Sequence, residues 1–404
     1  MQRRKILTAA AGFAAASALP RARAAPIWQP GEMADGALDS ALLEALPGKR
    51  ELIKRSFRPP NFETPIEYFR AAITPNDAFF VRYHLGSIPD VAAASWELRI
   101  GGAAAGTSFE LSLAQLQREF EPVEIVAVCQ CSGNRRGMFQ PHVQGVEWGV
   151  GAMGNARWKG VRLRDVLKRA GLKPEALEVA FNGADEPAMA GTPDFIKSIP
   201  LDRAMDENTL IAWEMNGAPL PRWNGFPARI IVPGWTATYW VKHLTDIDVR
   251  TEPQGGFWMI PAYRLPAGRF PGIDRFASQE NATNVPITNM VVNSLVTSLH
   301  DGMRVRTGQP VEVAGVAWDG GSGIRTVQVS LDNGQFWSDA PLADDLGRFS
   351  FRQFSYSFKP ERTGTQLVLV KATNQRGETQ VTDLVPNPAG YHHNVIPRIA
   401  LAVA

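Results

Sequence analysis

A chain of 404 residues, 45% hydrophobic and 20% charged, is ordinary globular material and long enough for two or three domains. Forty-two Lys and Arg against 40 Asp and Glu leave a formal charge of +2, which argues against nucleic acid or an anionic membrane as the main partner. Two cysteines rule out a disulfide framework, while 36 glycines and 30 prolines predict many turns and short strands rather than long helices.

The first residues are basic, Met1-Gln-Arg-Arg-Lys5, and run into an Ala-rich, mildly apolar stretch from Ile6 to Leu19 that ends in Ala22-Arg-Ala24. This pattern predicts a cleavable export signal over residues 1–24, with Arg3 and Arg4 adjacent as the twin-arginine route requires. The apolar run is shorter than the roughly 20 residues that cross a bilayer, so no membrane span is expected. Residues 25–60 are proline-interrupted and are predicted to wrap in extended form over a domain surface.

Strand character begins at Phe79-Phe-Val-Arg82, and on a strand Arg82 and His84 would share one face. Residues 96–100 alternate apolar and polar before Gly101-Gly102, as a half-buried strand meeting a turn does. Residues 111–120 read as a short helix. Residues 124–129 form a β-branched apolar run, predicted to be a buried strand. Residues 163–170 carry apolar side chains at helical spacing and stop at Gly171, a suitable C-terminal cap. Short buried strands are expected at 179–181 and 229–232, which makes residues 61–285 a mixed α+β domain.

From Ile287 strands follow one another without helices, at 311–317, 326–331 and 365–372, with Asp332-Asn-Gly334 as a turn. That spacing predicts a β-sandwich of about 100 residues, immunoglobulin-like in size, over 286–404.

Both cysteines lie in Val128-Cys-Gln-Cys-Ser-Gly-Asn-Arg-Arg136. Cys129 and Cys131 are too few for a zinc site, and a disulfide between residues two apart would close a short, strained ring. Small turn residues and two adjacent arginines around a thiolate suit a soft metal held beside an anion. Two buried, inert thiols are the plain alternative.

Together with Phe79-Phe-Val-Arg-Tyr-His84, Gly154-Asn-Ala-Arg-Trp-Lys-Gly-Val161, Gly225-Phe-Pro-Ala-Arg229 and the segment from Trp318-Asp-Gly-Gly to Phe336-Trp337, this motif resembles the molybdenum-containing sulfite oxidases. The bacterial sulfite dehydrogenases that pass electrons to cytochrome c are the more similar branch. The resemblance implies a sulfite-oxidase-type mixed α/β molybdopterin domain followed by an immunoglobulin-like domain through which the family dimerises. It implies Cys131 as the molybdenum ligand, with Arg135 and Arg136 lowering the thiol's pKa and holding nearby anions. Arg82 would meet sulfite or sulfate, with His84 beside it to bind cofactor or substrate. Tyr263, in Trp258-Met-Ile-Pro-Ala-Tyr-Arg264, occupies the position of the active-site tyrosine. Arg229 and Lys242 would hold the pterin phosphate and Asp185 would accept from the pterin amino groups. Asn224 stands where many members have a histidine, keeping a donor but no titratable group.

The reaction implied is oxygen-atom transfer, in which sulfite becomes sulfate. The sequence contains no Cys-x-x-Cys-His haem motif, so a separate c-type cytochrome is expected to take the electrons, in a homodimer or in a heterodimer with the cytochrome. Twin-arginine export carries folded proteins to the periplasm, which suits a cofactor inserted in the cytoplasm. One departure bears on the substrate: Ala389, in Asn387-Pro-Ala-Gly-Tyr391, replaces the second substrate-binding arginine of vertebrate-type enzymes. Two alternatives follow, a molybdopterin enzyme of the same fold acting on another sulfur or sulfoxide substrate, and an exported binding protein without catalysis.

Overall fold

The computed structural model describes residues 42–266 and 283–404. The expected export signal and the part of the extended segment up to residue 41 lie outside the described residues. Beyond that point the extended segment is not a surface wrap. Leu42–Ala45 and Glu51–Ser56 pair with Asn61–Glu63 and Val81–Arg82 in a four-stranded antiparallel sheet, so the expected boundary at residue 61 falls inside a folded unit.

Two further sheets build most of the rest of the first domain, and Arg264–Pro266 pairs with Asn284–Pro286 in a small third one. One runs Lys197–Pro200, Glu178–Gly183, Leu244–Arg250, Glu97–Gly101, Phe109–Ser112, with a single parallel pairing between Leu244–Arg250 and Glu97–Gly101. The other centres on Met153–Arg162, flanked by Pro122–Gln130 and Leu210–Met215. The predicted strand at 124–129 is thus one edge of a long hairpin, with Cys129 opposite Gly154. Gly160 lets the middle strand approach its neighbour, because a Cβ there would lie 2.0 Å from the Ile211 carbonyl oxygen.

Helices are few and short, which leaves the expected α+β domain mostly strand. Leu113–Glu119 starts with a capping box, Ser112 and Gln115 bonding each other's backbone. Leu163–Ala170 buries Leu163, Val166, Leu167 and Ala170, and ends at Gly171 with φ 66°. Its aliphatic residues stabilise the packing by about 1.5–3 kcal/mol each, and the left-handed cap suits glycine.

The second domain has two sheets. Asn293–Val296, Val311–Trp318 and Arg352–Phe358 form one. Arg304–Val305, Arg398–Val403, Gly364–Asn374, Ile324–Ser330 and Ser338–Ala340 form the other. Val313 of the first sheet and Val327, Val370 and Leu401 of the second belong to one buried core. A separate apolar cluster joins the two domains, with Phe69, Val128 and Met153 packed among Met290, Trp318 and Phe351. Across the same junction the Trp318 indole donates to Gln130 Oε1 at 2.6 Å. Among the described residues no helix is long and apolar enough to cross a membrane.

Candidate functional site

At the end of the strand Pro122–Gln130 the chain turns sharply, and backbone hydrogen bonds hold the turn. Cys131 N–H donates to the Ala152 carbonyl at 2.9 Å, Asn134 N–H to the Cys131 carbonyl at 3.0 Å, and Ala152 N–H to Asn134 Oδ1 at 3.0 Å. Glu63 fixes the facing loop, accepting from Gly149 N–H and, at 2.9 Å, from Gly151 N–H while paired with buried Arg55. The result is a narrow cavity with Cys131, Cys129 and Ser132 on one wall. Both thiols are free and buried. Burial pushes Cys129 up to about 11, against the opposing pull of Arg229, whose Nη2 lies 4.0 Å from its Sγ.

Arg82, His84, Phe195 and Tyr263 form a second wall. The strand here is only Val81–Arg82, shorter than the sequence suggested, and His84 lies beyond it in a bend. The two side chains nevertheless meet at one atom, the Tyr263 hydroxyl, which contacts His84 Nε2 and lies 3.5 Å from Arg82 Nη2. His84 stacks flat on Phe195 with centroids 3.8 Å apart. Burial first, then the charge of Arg82, lowers the imidazole well below its ordinary value. A neutral ring offers Nε2 as an acceptor to the phenol, whose own pKa burial raises. Tyr263 has φ 61°, rare for a bulky residue and costly unless the surroundings impose it.

The third wall carries Asp185, Asn224, Arg229 and Lys242. Arg229 Nη1 donates to the Asn224 carbonyl at 2.9 Å and Nη2 to the Trp240 carbonyl at 3.0 Å. Lys242 donates to the Arg82 carbonyl and sits 3.7 Å from the Tyr83 ring centre. Burial, then the neighbouring Arg229, pushes Lys242 down to about 7, while burial raises Asp185 against the pull of Lys242. Three cationic side chains therefore face one carboxylate. Ser132 Oγ is buried with no hydrogen-bond partner among the described residues, and Arg229 Nε likewise has no acceptor.

One expectation needs correcting. Arg136 does not line the cavity: its Nε donates to the Ala389 carbonyl at 2.7 Å and its Nη1 to the Val146 carbonyl at 3.1 Å. Glycines make room for it, since a Cβ at Gly133 would meet its Nη2 at 2.5 Å. Arg135 turns away altogether, to Asn293 Oδ1 at 2.8 Å and the Ser294 carbonyl at 2.6 Å. Both side chains therefore tie the turn after Cys131 to the second domain. Asn224 lines the cavity with its amide engaged, since Lys49 donates to its Oδ1 at 2.5 Å and its Nδ2 donates to the Phe80 carbonyl at 3.1 Å. Its amide braces the wall, and its Oδ1 is already occupied.

Sequence reasoning missed Lys49, Lys197 and Tyr391. Lys49 is buried and also holds the Phe79 and Asn76 carbonyls. Tyr391, from the second domain, stacks on Tyr263 at 5.6 Å, and the Arg136 guanidinium lies 5.4 Å from the Tyr391 ring centre. No local pattern marks these residues, whose roles come from contacts distant in sequence. Among the described residues no three His, Cys, Asp or Glu side chains converge on a metal position.

Comparison with known proteins gives this arrangement a context. Residues 85–258 match the family described as oxidoreductase molybdopterin binding domain, and residues 284–404 match the Mo-co oxidoreductase dimerisation domain. The chain is 38% identical to mitochondrial sulfite oxidase of Rattus norvegicus over 71% of its own length, and spans 52% of that protein. It is 36% identical to sulfite oxidase of Gallus gallus over 82% of its length and 73% of that protein's. The fold matches the sulfane dehydrogenase SoxCD from Paracoccus pantotrophus with a TM-score of 0.74 and 25% identity, covering 89% of this chain and 91% of the other.

Proposed function

The chain belongs to the sulfite oxidase family of molybdopterin oxidoreductases, and from that premise we propose that it oxidises sulfite to sulfate and passes the electrons to a c-type cytochrome. The observation that carries this reading is the cavity itself, where a free thiol, a phenol hydrogen-bonded to a neutral imidazole, and three cationic side chains surround a single carboxylate. The donor set fits the family's molybdenum–molybdopterin cofactor. One thiol suits a metal whose other sulfur ligands come from a pterin, and the unpartnered Ser132 Oγ and Arg229 Nε supply polar groups for an anionic guest.

In this reading Cys131 holds the metal, Arg229 and Lys242 hold the phosphate tail, and Asp185 accepts from the pterin amino groups. When bound, the cofactor supplies two-electron oxygen-atom transfer, so that sulfite and water give sulfate, two protons and two electrons. Arg82 and the Tyr263 hydroxyl bind the oxyanion. Their charge and dipole count for more in a buried pocket than in water. His84, kept neutral, holds the Tyr263 hydroxyl in place through Nε2.

The Mo-co dimerisation match over 284–404 and the two-sheet core support an immunoglobulin-like module through which two copies pair. The Arg3-Arg4 signal supports periplasmic location, and a periplasmic two-electron enzyme without its own haem motif needs a separate one-electron carrier.

The test is sulfite-dependent reduction of cytochrome c or ferricyanide by protein of measured molybdenum content. Turnover in proportion to bound molybdenum is expected, and metal-loaded protein inert to sulfite would overturn the substrate. A second reading, another sulfur or sulfoxide substrate, has an observation of its own. Ala389 is buried and apolar, and its carbonyl is taken by Arg136, so this position brings no cation to an anionic substrate.

A further inference from the structure

Lys197 is buried beside the site and forms no ion pair among the described residues. It lies on the strand Lys197–Pro200, two residues after Phe195, whose ring stacks on His84. Its Nζ donates to the Trp258 carbonyl at 2.6 Å. The same ammonium stands 5.0 Å from the Tyr263 ring centre and 4.7 Å from that of Tyr239. Close by, the Trp258 indole donates to the Pro193 carbonyl at 3.0 Å. Residues 193–197 therefore grip Trp258 at two points, its indole and its carbonyl.

A methionine of similar length would fill this space without the cost of burying an ammonium. The nitrogen must then do something that packing does not. What it touches is the start of the turn that ends at Tyr263 in a left-handed conformation, together with the ring face of Tyr263 itself. A strained backbone persists only where neighbours over-determine it, and Lys197 is one of the neighbours that tie this turn to the sheet, together with Pro193 and Ser198.

We propose that Lys197 is a positioning residue for the active-site phenol, anchoring residues 258–263 so that the Tyr263 hydroxyl meets His84 and Arg82. The proposal rests on the reading of Tyr263 as the group that touches the substrate oxyanion. Lys197 itself acts through Tyr263 and does not line the cavity. Its charge also faces His84 and Arg264, so replacement alters the field around the phenol as well as its place.

The experiment uses the molybdenum-loaded protein with 3-fluorotyrosine at its six tyrosines, the Tyr263 resonance being assigned with Tyr263→Phe. In Lys197→Met the fluorine resonance of Tyr263 is expected to leave its wild-type position while those of Tyr68 and Tyr356 stay. Lys197→Arg, which keeps donor and charge, is expected to return it towards that position and also serves if the methionine variant fails to fold. Sulfite kcat/KM should fall about tenfold in Lys197→Met, mostly in kcat, and the double variant with Tyr263→Phe should match Tyr263→Phe alone within about twofold. An unmoved Tyr263 resonance, or losses that multiply in the double variant, would overturn the proposal. Wild-type enzyme inert to sulfite would sink the substrate reading and leave the fluorine result to decide the role of Lys197.

Discussion

Arg135 and Asn293, 158 positions apart in sequence, are joined by a 2.8 Å hydrogen bond at the junction of the two domains. The guanidinium also donates to the Ser294 carbonyl and lies 5.9 Å from the Trp318 ring centre, so one side chain ties the turn after Cys131 to the second domain. Arg135→Ala removes one charged donor from Asn293 Oδ1, which keeps Ser294 N–H at 3.1 Å and Gln380 Nε2 at 3.4 Å, and one from the Ser294 carbonyl, each such hydrogen bond being worth about 1.5–3 kcal/mol. A large drop in the denaturation midpoint is expected, read by urea unfolding. An unchanged midpoint would show that the junction is held by its apolar cluster alone.

The two cysteines should separate cleanly. Cys131→Ser is expected to strip molybdenum and abolish turnover, because a hydroxyl is a poor soft-metal ligand. Cys129→Ser should keep the metal and lose stability by about 1–3 kcal/mol, since the new hydroxyl is buried beside Arg229. Metal analysis of the two purified variants checks both outcomes. Equal molybdenum in the two would remove Cys131 from its role.

On the proposed reading, Arg82→Met and Tyr263→Phe remove two different contacts to one substrate oxyanion. Losing a charge-assisted contact of about 1.5–3 kcal/mol should lower kcat/KM roughly 10- to 100-fold in Arg82→Met, chiefly through KM. Tyr263→Phe removes the hydroxyl shared by His84 and Arg82 and should lower kcat about a hundredfold. Steady-state kinetics with sulfite measure both. A KM effect in Tyr263→Phe with kcat intact would assign the phenol to binding alone.

Acid stability has a definite sign. Burial pushes His243 and His393 down to about 3 from an ordinary 6.5, so the folded protein keeps both rings neutral where the unfolded chain takes up protons. The contribution of these two histidines is therefore fully present above pH 6.5 and is lost as pH drops from 6.5 towards 3, by about 1.4 kcal/mol per unit per histidine. His393→Gln should flatten that slope in thermal melts taken across the window. A slope identical to wild type would mean that His393 is not held neutral.

Local patterns were readable wherever a residue's role depends on its sequence neighbours. The apolar run before Cys129 became the strand Pro122–Gln130, and the helix predicted at 163–170 is Leu163–Ala170 with Gly171 at its cap. The strand at 79–84 was overestimated, because Phe79 and Phe80 are core residues outside the short pairing Val81–Arg82. Arg135 and Arg136 misled for a different reason. Two adjacent cations beside a thiol look alike whether they face an anion or main-chain carbonyls, and only tertiary contacts with Asn293, Ser294 and Ala389 decide between these. Lys49 and Lys197 gave no signal at all, since a lone lysine in a mixed segment reads as a solvated surface residue.

The support behind Tyr263 comes from Tyr391, near the far end of the chain. While a ribosome has yet to add Tyr391, the phenol lacks the ring it leans on and Arg136 lacks the Ala389 carbonyl that holds it. The surroundings of Tyr263 are thus complete only once residues 389–391 have been made and folded back onto the first domain.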